Sequence, residues 1–290
     1  MKSTPYFQVP FAICLLVLCV SVFAGCNWVN DTADSSNAKP ESGQADSSAT
    51  PENIHLMLGN PSGAASNPNS RDNYLLLKGS FAISYNNSRG TANWVSWKTS
   101  KSDMGQSIER SDFRPDPDLP GSFVRVNATD YSSSGYQRGH LVPSADRFGD
   151  PEANLETFMM TNIVPQTGDL NQYPWQKFES YVRYNARRNS DVYQIAGVYG
   201  DRGRLRNKVT VPANCWKIVV IVPAGSEITD INAETRVIAV DMPNARGIAK
   251  DRWQQYQTTV RAIEQKTGYN FLDRLPLELQ EILENRGDDK

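Results

Sequence analysis

Beyond residue 52 the hydrophobic positions fall into two groups of short β-branched or aromatic runs, with a long interval between them. The first group covers 74–78, 81–86 and 93–98, divided by Gly79-Ser80 and by the turn sequence Asn87-Ser88-Arg89-Gly90. The second covers 191–198, 216–222 and 236–240, bounded by Gly or Pro. Runs of this length between turn residues predict strands. The interval 101–167 shows neither period and reads as loop-rich. Helical spacing appears in three places. Pro174 suits a first turn, and Trp175, Phe178 and Val182 follow it toward Arg188. Trp253, Tyr256, Val260 and Ile263 form one apolar stripe that ends at Lys266 with Gly268 just beyond. A short last helix begins near Pro276 and turns Leu279 and Leu283 inward. This order predicts an α+β fold in which a central, mainly antiparallel or mixed sheet is flanked by helices. No internal repeat or second linker divides it, so 53–290 reads as one domain, long enough for a substantial core.

The chain ahead of that domain has a different character. Met1-Lys2 is followed by an apolar core at 11–23, too short to span a bilayer comfortably. It closes on Phe23-Ala24-Gly25-Cys26, which resembles a bacterial lipoprotein signal covering 1–26 with Cys26 as the lipidated residue. Phe23 departs from that pattern, which usually has an aliphatic there. Residues 27–52 are rich in Ser, Ala, Asp, Asn and Pro and read as a disordered tether. These features predict export to a bacterial cell envelope with a lipid anchor in the membrane, or otherwise a periplasmic or secreted protein. The net charge of −2 sets no strong field, so any nucleic-acid contact must come from a local basic surface.

Cysteine and histidine usage narrows the chemistry. Cys14 and Cys19 belong to the signal and Cys26 to the anchor, which leaves Cys215 beside Trp216 as a buried structural thiol. No disulfide framework and no cysteine-based zinc site is available. Of the two histidines, His55 reads as structural or exposed. His140 stands in Gln137-Arg138-Gly139-His140, nearly alone as a group able to take up a proton near neutral pH. Four segments carry the remaining chemistry: 108–116 with Arg110 and Arg114, 136–140, 161–166 with Asn162, and 169–183 with Asn171, Glu179 and Arg183.

In their order and spacing these segments resemble the DNA/RNA non-specific endonucleases of the ββα-metal (His-Me finger) superfamily. The likeness runs from about Asn60-Pro61-Ser62 to the helix ending near Gly268. It implies a ββα finger carrying the active site, with His140 as general base. It further implies one hydrated Mg²⁺ (Mn²⁺ being possible), with Asn171 as direct ligand and Glu179 acting through water. Eight helical residues rise about 12 Å, so those two side chains cannot both be direct ligands. Arg110 matches the family's transition-state arginine, with Arg114 the competing assignment around Phe113. Arg138 would act on phosphate or local structure. Arg183, four residues after Glu179, would pair with it while touching substrate, and Asn162 would orient metal waters or His140. The family tetrad usually begins with Asp, and Gln137 removes that charge, which bears on metal affinity or preference.

The resemblance therefore implies hydrolysis of DNA and RNA without regard to sequence or sugar, giving 5′-phosphorylated products. The expected partners are these polymers and, through lipid, the membrane, with no protein partner. The rivals are a non-catalytic nucleic-acid receptor for DNA uptake and a phosphodiesterase acting on small nucleotides. The intact His140, Asn171 and Glu179 speak against the first, and the second needs a closed pocket. A two-histidine zinc nuclease lacks its ligands. Arg202, Arg204, Arg206 and Lys208 would share one face if extended and line a phosphate groove, or else form a solvated hairpin. Trp94, Trp97, Trp175 and Trp253 read as core.

Overall fold

Every strand pairing in the central sheet is antiparallel. The computed structural model describes residues 53–288; the signal at 1–26, Cys26 and the tether at 27–52 lie outside them. In chain order the strands are β1 (Tyr74–Leu77), β2 (Ala82–Asn86), β3 (Thr91–Thr99), β4 (Gln137–His140), β5 (Ile163–Gln166), β6 (Ser190–Tyr199), β7 (Arg204–Leu205), β8 (Val209–Thr210), β9 (Asn214–Pro223), β10 (Arg236–Pro243) and β11 (Gln257–Thr258). The helices are α1 (Pro151–Glu156), α2 (Gly168–Leu170), α3 (Gln176–Ala186), α4 (Val260–Thr267) and α5 (Leu277–Asn285). Seven strands form one sheet in the order β1-β2-β3-β6-β9-β10-β11, while β4–β5 and β7–β8 are separate pairs. Among the described residues no helix is long and apolar enough to cross a membrane.

The six predicted strands are all present, and their burial explains their composition. β6 and β9 are buried on both faces, so their sequences are nearly continuous apolar runs. Alternation sorts the side chains. On one face Trp94, Tyr193, Ile195, Trp216, Ile218 and Val220 pack with Val260 and Ile263 of α4 and with Leu283 of α5. On the other, Val95, Trp97, Val192, Ala196, Cys215 and Val219 pack with Trp175, Phe178 and Val182. Trp94, Trp97, Trp175 and Trp253 are core residues, as expected. The second face carries the β4–β5 pair and α3, and with them the candidate site.

Two helices differ from expectation. The stripe from Trp253 to Ile263 is not one helix. A 3-10 turn at Trp253–Tyr256 leads into β11, which pairs with β10, and α4 starts only at Val260. Thr259 explains the break: its side chain accepts the Ala262 N–H at 3.1 Å, capping a new helix and ending the extended pair before it. The predicted end stands, since Gly268 has φ 73° and caps α4 in the left-handed region. Nor does Pro174 open α3. It lies inside a π-helical segment, Asn171–Trp175, and regular helix begins at Gln176. Proline has no N–H to give a ladder and its ring crowds the carbonyl four residues back, so regular helix begins only after it.

Candidate active site

The interval read as loop-rich contains the two strands that build the site. Gln137, Arg138, Gly139 and His140 of β4 lie opposite Gln166, Pro165, Val164 and Ile163 of β5. The glycine is required by packing: a Cβ there would lie 2.1 Å from Gln166 Oε1. After β5 the chain turns through α2 and the π segment, which delivers Asn171, and α3 then carries Glu179 and Arg183. The resulting ββα unit opens onto a cleft of about 1030 Å³ whose lining includes Arg110, Gln137, Arg138, His140, Asn171 and Glu179.

His140 is partly exposed as a residue, but its Nε2 is shielded and has no hydrogen-bond partner among the described residues. The ring packs edge-on to Phe158, with centroids 5.1 Å apart, and lies 5.4 Å from Phe113. The same aromatics seat the arginines. The Arg110 guanidinium stands 5.2 Å from the Phe113 ring, and that of Arg138 stands 4.9 Å from it. Burial, helped by Arg110, pushes the His140 imidazole down to about 3. It is therefore neutral, the form a general base requires, across the physiological range.

This shift links the site to stability. An unfolded imidazole takes up its proton near about 6.5, whereas the folded one waits until about 3. Between these values the unfolded chain binds the additional proton, so stability is complete above the upper value and falls as the pH drops through the window. Urea unfolding at about pH 7.5 and about pH 4.5 is expected to show the wild type losing more stability on acidification than His140→Ala. Equal losses would mean that the imidazole titrates as it does in free solution.

Asn171 Nδ2 donates to Gln137 Oε1 at 2.8 Å. With the nitrogen so committed, the Asn171 carbonyl oxygen is left without a donor among the described residues, and both side chains line the cleft. Glu179 lies over a buried ionic group. Its Oε1 is 3.9 Å from Lys217 Nζ, which projects from β9. Below, Asp146 Oδ1 accepts from Arg183 Nη1 at 3.1 Å, and its Oδ2 accepts from Trp97 Nε1 at 3.0 Å and from Gln194 Nε2 at 3.1 Å. Burial opposes the Asp146 charge, but Arg183, Lys217 and the Trp97 N–H outweigh it and hold the carboxyl below its ordinary range. Burial pushes the Glu179 carboxyl up against the pull of Lys217 and Arg183, and it pushes the Lys217 ammonium down.

The cleft thus gathers His140, Arg110, Arg138, Asn171 and Glu179, but three expectations change. Asn162 is fully buried and does not line the cleft: its side chain accepts from the Val142 N–H at 2.9 Å and donates to Val142 O and Thr157 O. It braces the turn two residues beyond His140. Arg183 pairs with Asp146 and, among the described residues, forms no ion pair with Glu179; only 8% exposed, it still contributes to the cleft lining. Arg114 has an exposed side chain outside the cleft lining, while its backbone bridges to Met159, so of the two arginines Arg110 is the one that lines the cleft. The basic run near 202–208 does not present one face. The chain reverses at Arg206 and Asn207, both at positive φ, and Lys208 pairs with Asp130 at 3.2 Å. His55 is structural, with its ring bonded to Gly79 O and the Lys98 N–H. Cys215 is buried as expected, its thiol pushed up to about 12 by burial. Phe113, Phe158, Asp146 and Lys217 were missed. Lys217 alone had a visible signal, a charge inside the apolar run Trp216–Val222.

A cleft with one neutral imidazole, flanked by guanidinium groups suited to phosphate oxygens, belongs to a phosphodiester hydrolase of ββα architecture. Comparison with known proteins makes this particular: the family model described as DNA/RNA non-specific endonuclease matches residues 58–278, and the chain belongs to that family. It is similar to a nuclease of Nostoc sp. (strain PCC 7120 / SAG 25.82 / UTEX 2576), 46% identical over 237 residues, covering 81% of this chain and 86% of that one. A nuclease of Syncephalastrum racemosum is 31% identical over 76% of this chain and 71% of its own length. A solved structure of the EndoG/EndoGI complex shares the fold with a TM-score of 0.63 at 22% identity, covering 77% of this chain and 91% of that chain. The α+β class and the endonuclease activity expected from the sequence therefore stand. Enzymes of this family act on nucleic acid with a divalent metal ion.

Proposed function

We propose that the protein hydrolyses both DNA and RNA, without regard to sequence or sugar, with His140 as general base and one hydrated Mg²⁺ held directly by Asn171 and through water by Glu179. Mn²⁺ would serve in the same place. The observation carrying this reading is that a neutral His140 and the free amide oxygen of Asn171 line one cleft. The donor set fits such an ion. No cluster of three or more His, Cys, Asp or Glu side chains suited to a metal occurs among the described residues. One amide oxygen and one outer carboxylate suit Mg²⁺, which prefers oxygen and keeps several waters. When bound, the ion supplies Lewis-acid stabilisation of phosphate and leaving-group charge.

The protein's own groups supply the rest. The His140 imidazole accepts a proton from the attacking water. Arg110 and Arg138, seated on Phe113, present guanidinium forks to the phosphate oxygens. Contacts of this kind address the phosphodiester, which carries no sequence information. Substrate binding is proposed for Arg110 and Arg138, and a supporting role for Arg183. The N-terminal signal and Cys26 support export and lipid anchoring at a bacterial membrane, where low specificity does not endanger the genome. Globomycin treatment with mass analysis of Cys26 tests that part.

The activity is tested by incubating the purified protein with plasmid DNA and with RNA, with Mg²⁺ and with chelator. Both polymers should be degraded with the metal and neither without it. Cleavage confined to one polymer, or unaffected by chelator, would refute the reading.

A further inference from the structure

Lys217 is the fully buried lysine that projects from the centre of β9 toward the layer carrying the site. Its Nζ forms no hydrogen bond among the described residues. It stands 4.7 Å from the Trp175 ring centroid and 5.0 Å from that of Trp97, and its one ion pair among the described residues is with Glu179 at 3.9 Å. Other lysines of the domain make closer pairs: Lys78 lies 2.7 Å from Asp116, and Lys98 lies 2.8 Å from Asp191. Lys217 differs in being held back by two indole faces, so it attracts Glu179 without closing over its oxygens.

A lysine is a poor choice for stability in this place. Desolvating an ammonium is costly, and replacing buried ionic groups by apolar side chains of similar volume is often neutral or stabilising. The surroundings are apolar on the Trp97 and Trp175 sides, where Met would fill the same space. What the charge adds is directed at the ionic group of Glu179, Asp146 and Arg183. Arg183 is committed to Asp146 at 3.1 Å, and its next contact is Ser180 Oγ at 3.2 Å. Lys217 is therefore the cation paired with Glu179.

We propose that Lys217 is a positioning residue for the hydrolytic reaction, its caged ammonium fixing the Glu179 carboxylate from beneath so that its oxygens face the cleft. This rests on the reading that Glu179 holds the hydrated ion. Residues that orient metal-binding groups typically affect affinity or activity by about 10–100-fold when removed.

The test compares the wild type with Lys217→Met, Lys217→Gln, Glu179→Gln and the Lys217→Met/Glu179→Gln double variant. Mn²⁺ binding is followed by electron paramagnetic resonance without substrate, and plasmid cleavage gives kcat and KM. Lys217→Met should weaken Mn²⁺ binding about 10-fold and lower kcat by about 10–100-fold with KM little changed. On the Glu179→Gln background it should have no further effect. Lys217→Gln, which keeps a donor, should fall between, and it decides the matter if the Met variant does not fold. Wild-type Mn²⁺ binding and kcat in folded Lys217 variants, or losses that add to those of Glu179→Gln, would overturn the proposal. A Glu179→Gln protein with undiminished Mn²⁺ binding would instead overturn the metal reading beneath it.

Discussion

His140→Ala is expected to lower kcat/KM for plasmid DNA and for RNA by about 10²–10⁴-fold, the range a positioned general base contributes. The other histidine cannot take over, because both its ring nitrogens are bonded, to Gly79 O and to the Lys98 N–H. Nor do the arginines of the cleft offer a base, since a guanidinium stays charged at any working pH. Residual cleavage should come from the charge stabilisation that Arg110 and Arg138 still provide. The substitution empties a space beside Phe113 and Phe158, whose centroids lie 5.3 Å apart, so a thermal melt must accompany the assay. A folded His140→Ala protein cleaving at the wild-type rate would remove the imidazole from the mechanism. A uniform loss on both polymers is also expected, because the base acts on water and never meets the sugar.

How far the sequence reveals this site depends on whether a residue acts through neighbours in the chain or through neighbours in space. The strands of the sheet were legible because β6 and β9 are covered on both faces and so are apolar almost throughout. The strands β4 and β5 were not. Each has only four residues, and Gln137-Arg138-Gly139-His140 has the composition of a loop. A Cβ at Gly139 would run into the buried Gln166 side chain, a constraint that periodicity cannot show. Asn171 and Glu179 were singled out by the family resemblance, and the structure brings both into the cleft lining. Arg183 was misassigned for an instructive reason: the i+4 rule brings it near Glu179, but a fully buried carboxylate from a distant segment, Asp146, competes more strongly for the guanidinium. Asn162 failed likewise, because an amide in the interior is taken up by backbone groups before it can serve a cleft. The indole cage of Lys217 draws on β3, the π segment and β9, which no local pattern joins.

Asn171→Ala is expected to lower kcat/KM by about 10²–10³-fold, since the metal's stabilisation of charge is worth several kcal/mol and each 1.4 kcal/mol is tenfold. The Mg²⁺ concentration giving half the maximal rate should rise with it. The fold should tolerate the change, because Asn171 has helical dihedrals, φ −62° and ψ −43°, which alanine adopts readily. What is lost is the carbonyl oxygen that the Gln137 contact leaves free. The same contact shapes the response of the neighbouring position. Gln137 accepts from the Asn171 Nδ2 at 2.8 Å as a neutral amide, so the proposed ligand is held without the negative charge that Asp would supply at that position. Asn171→Asp would restore an oxygen but reverse the contact, so that the Gln137 amide must turn and donate its Nε2 to the carboxylate in place of accepting. Its activity should therefore lie between that of the wild type and that of Asn171→Ala. An Asn171→Ala protein with unchanged kcat/KM and unchanged Mg²⁺ dependence would show that the ion is held elsewhere in the cleft, and would separate the His140 chemistry from the ligand assigned to it.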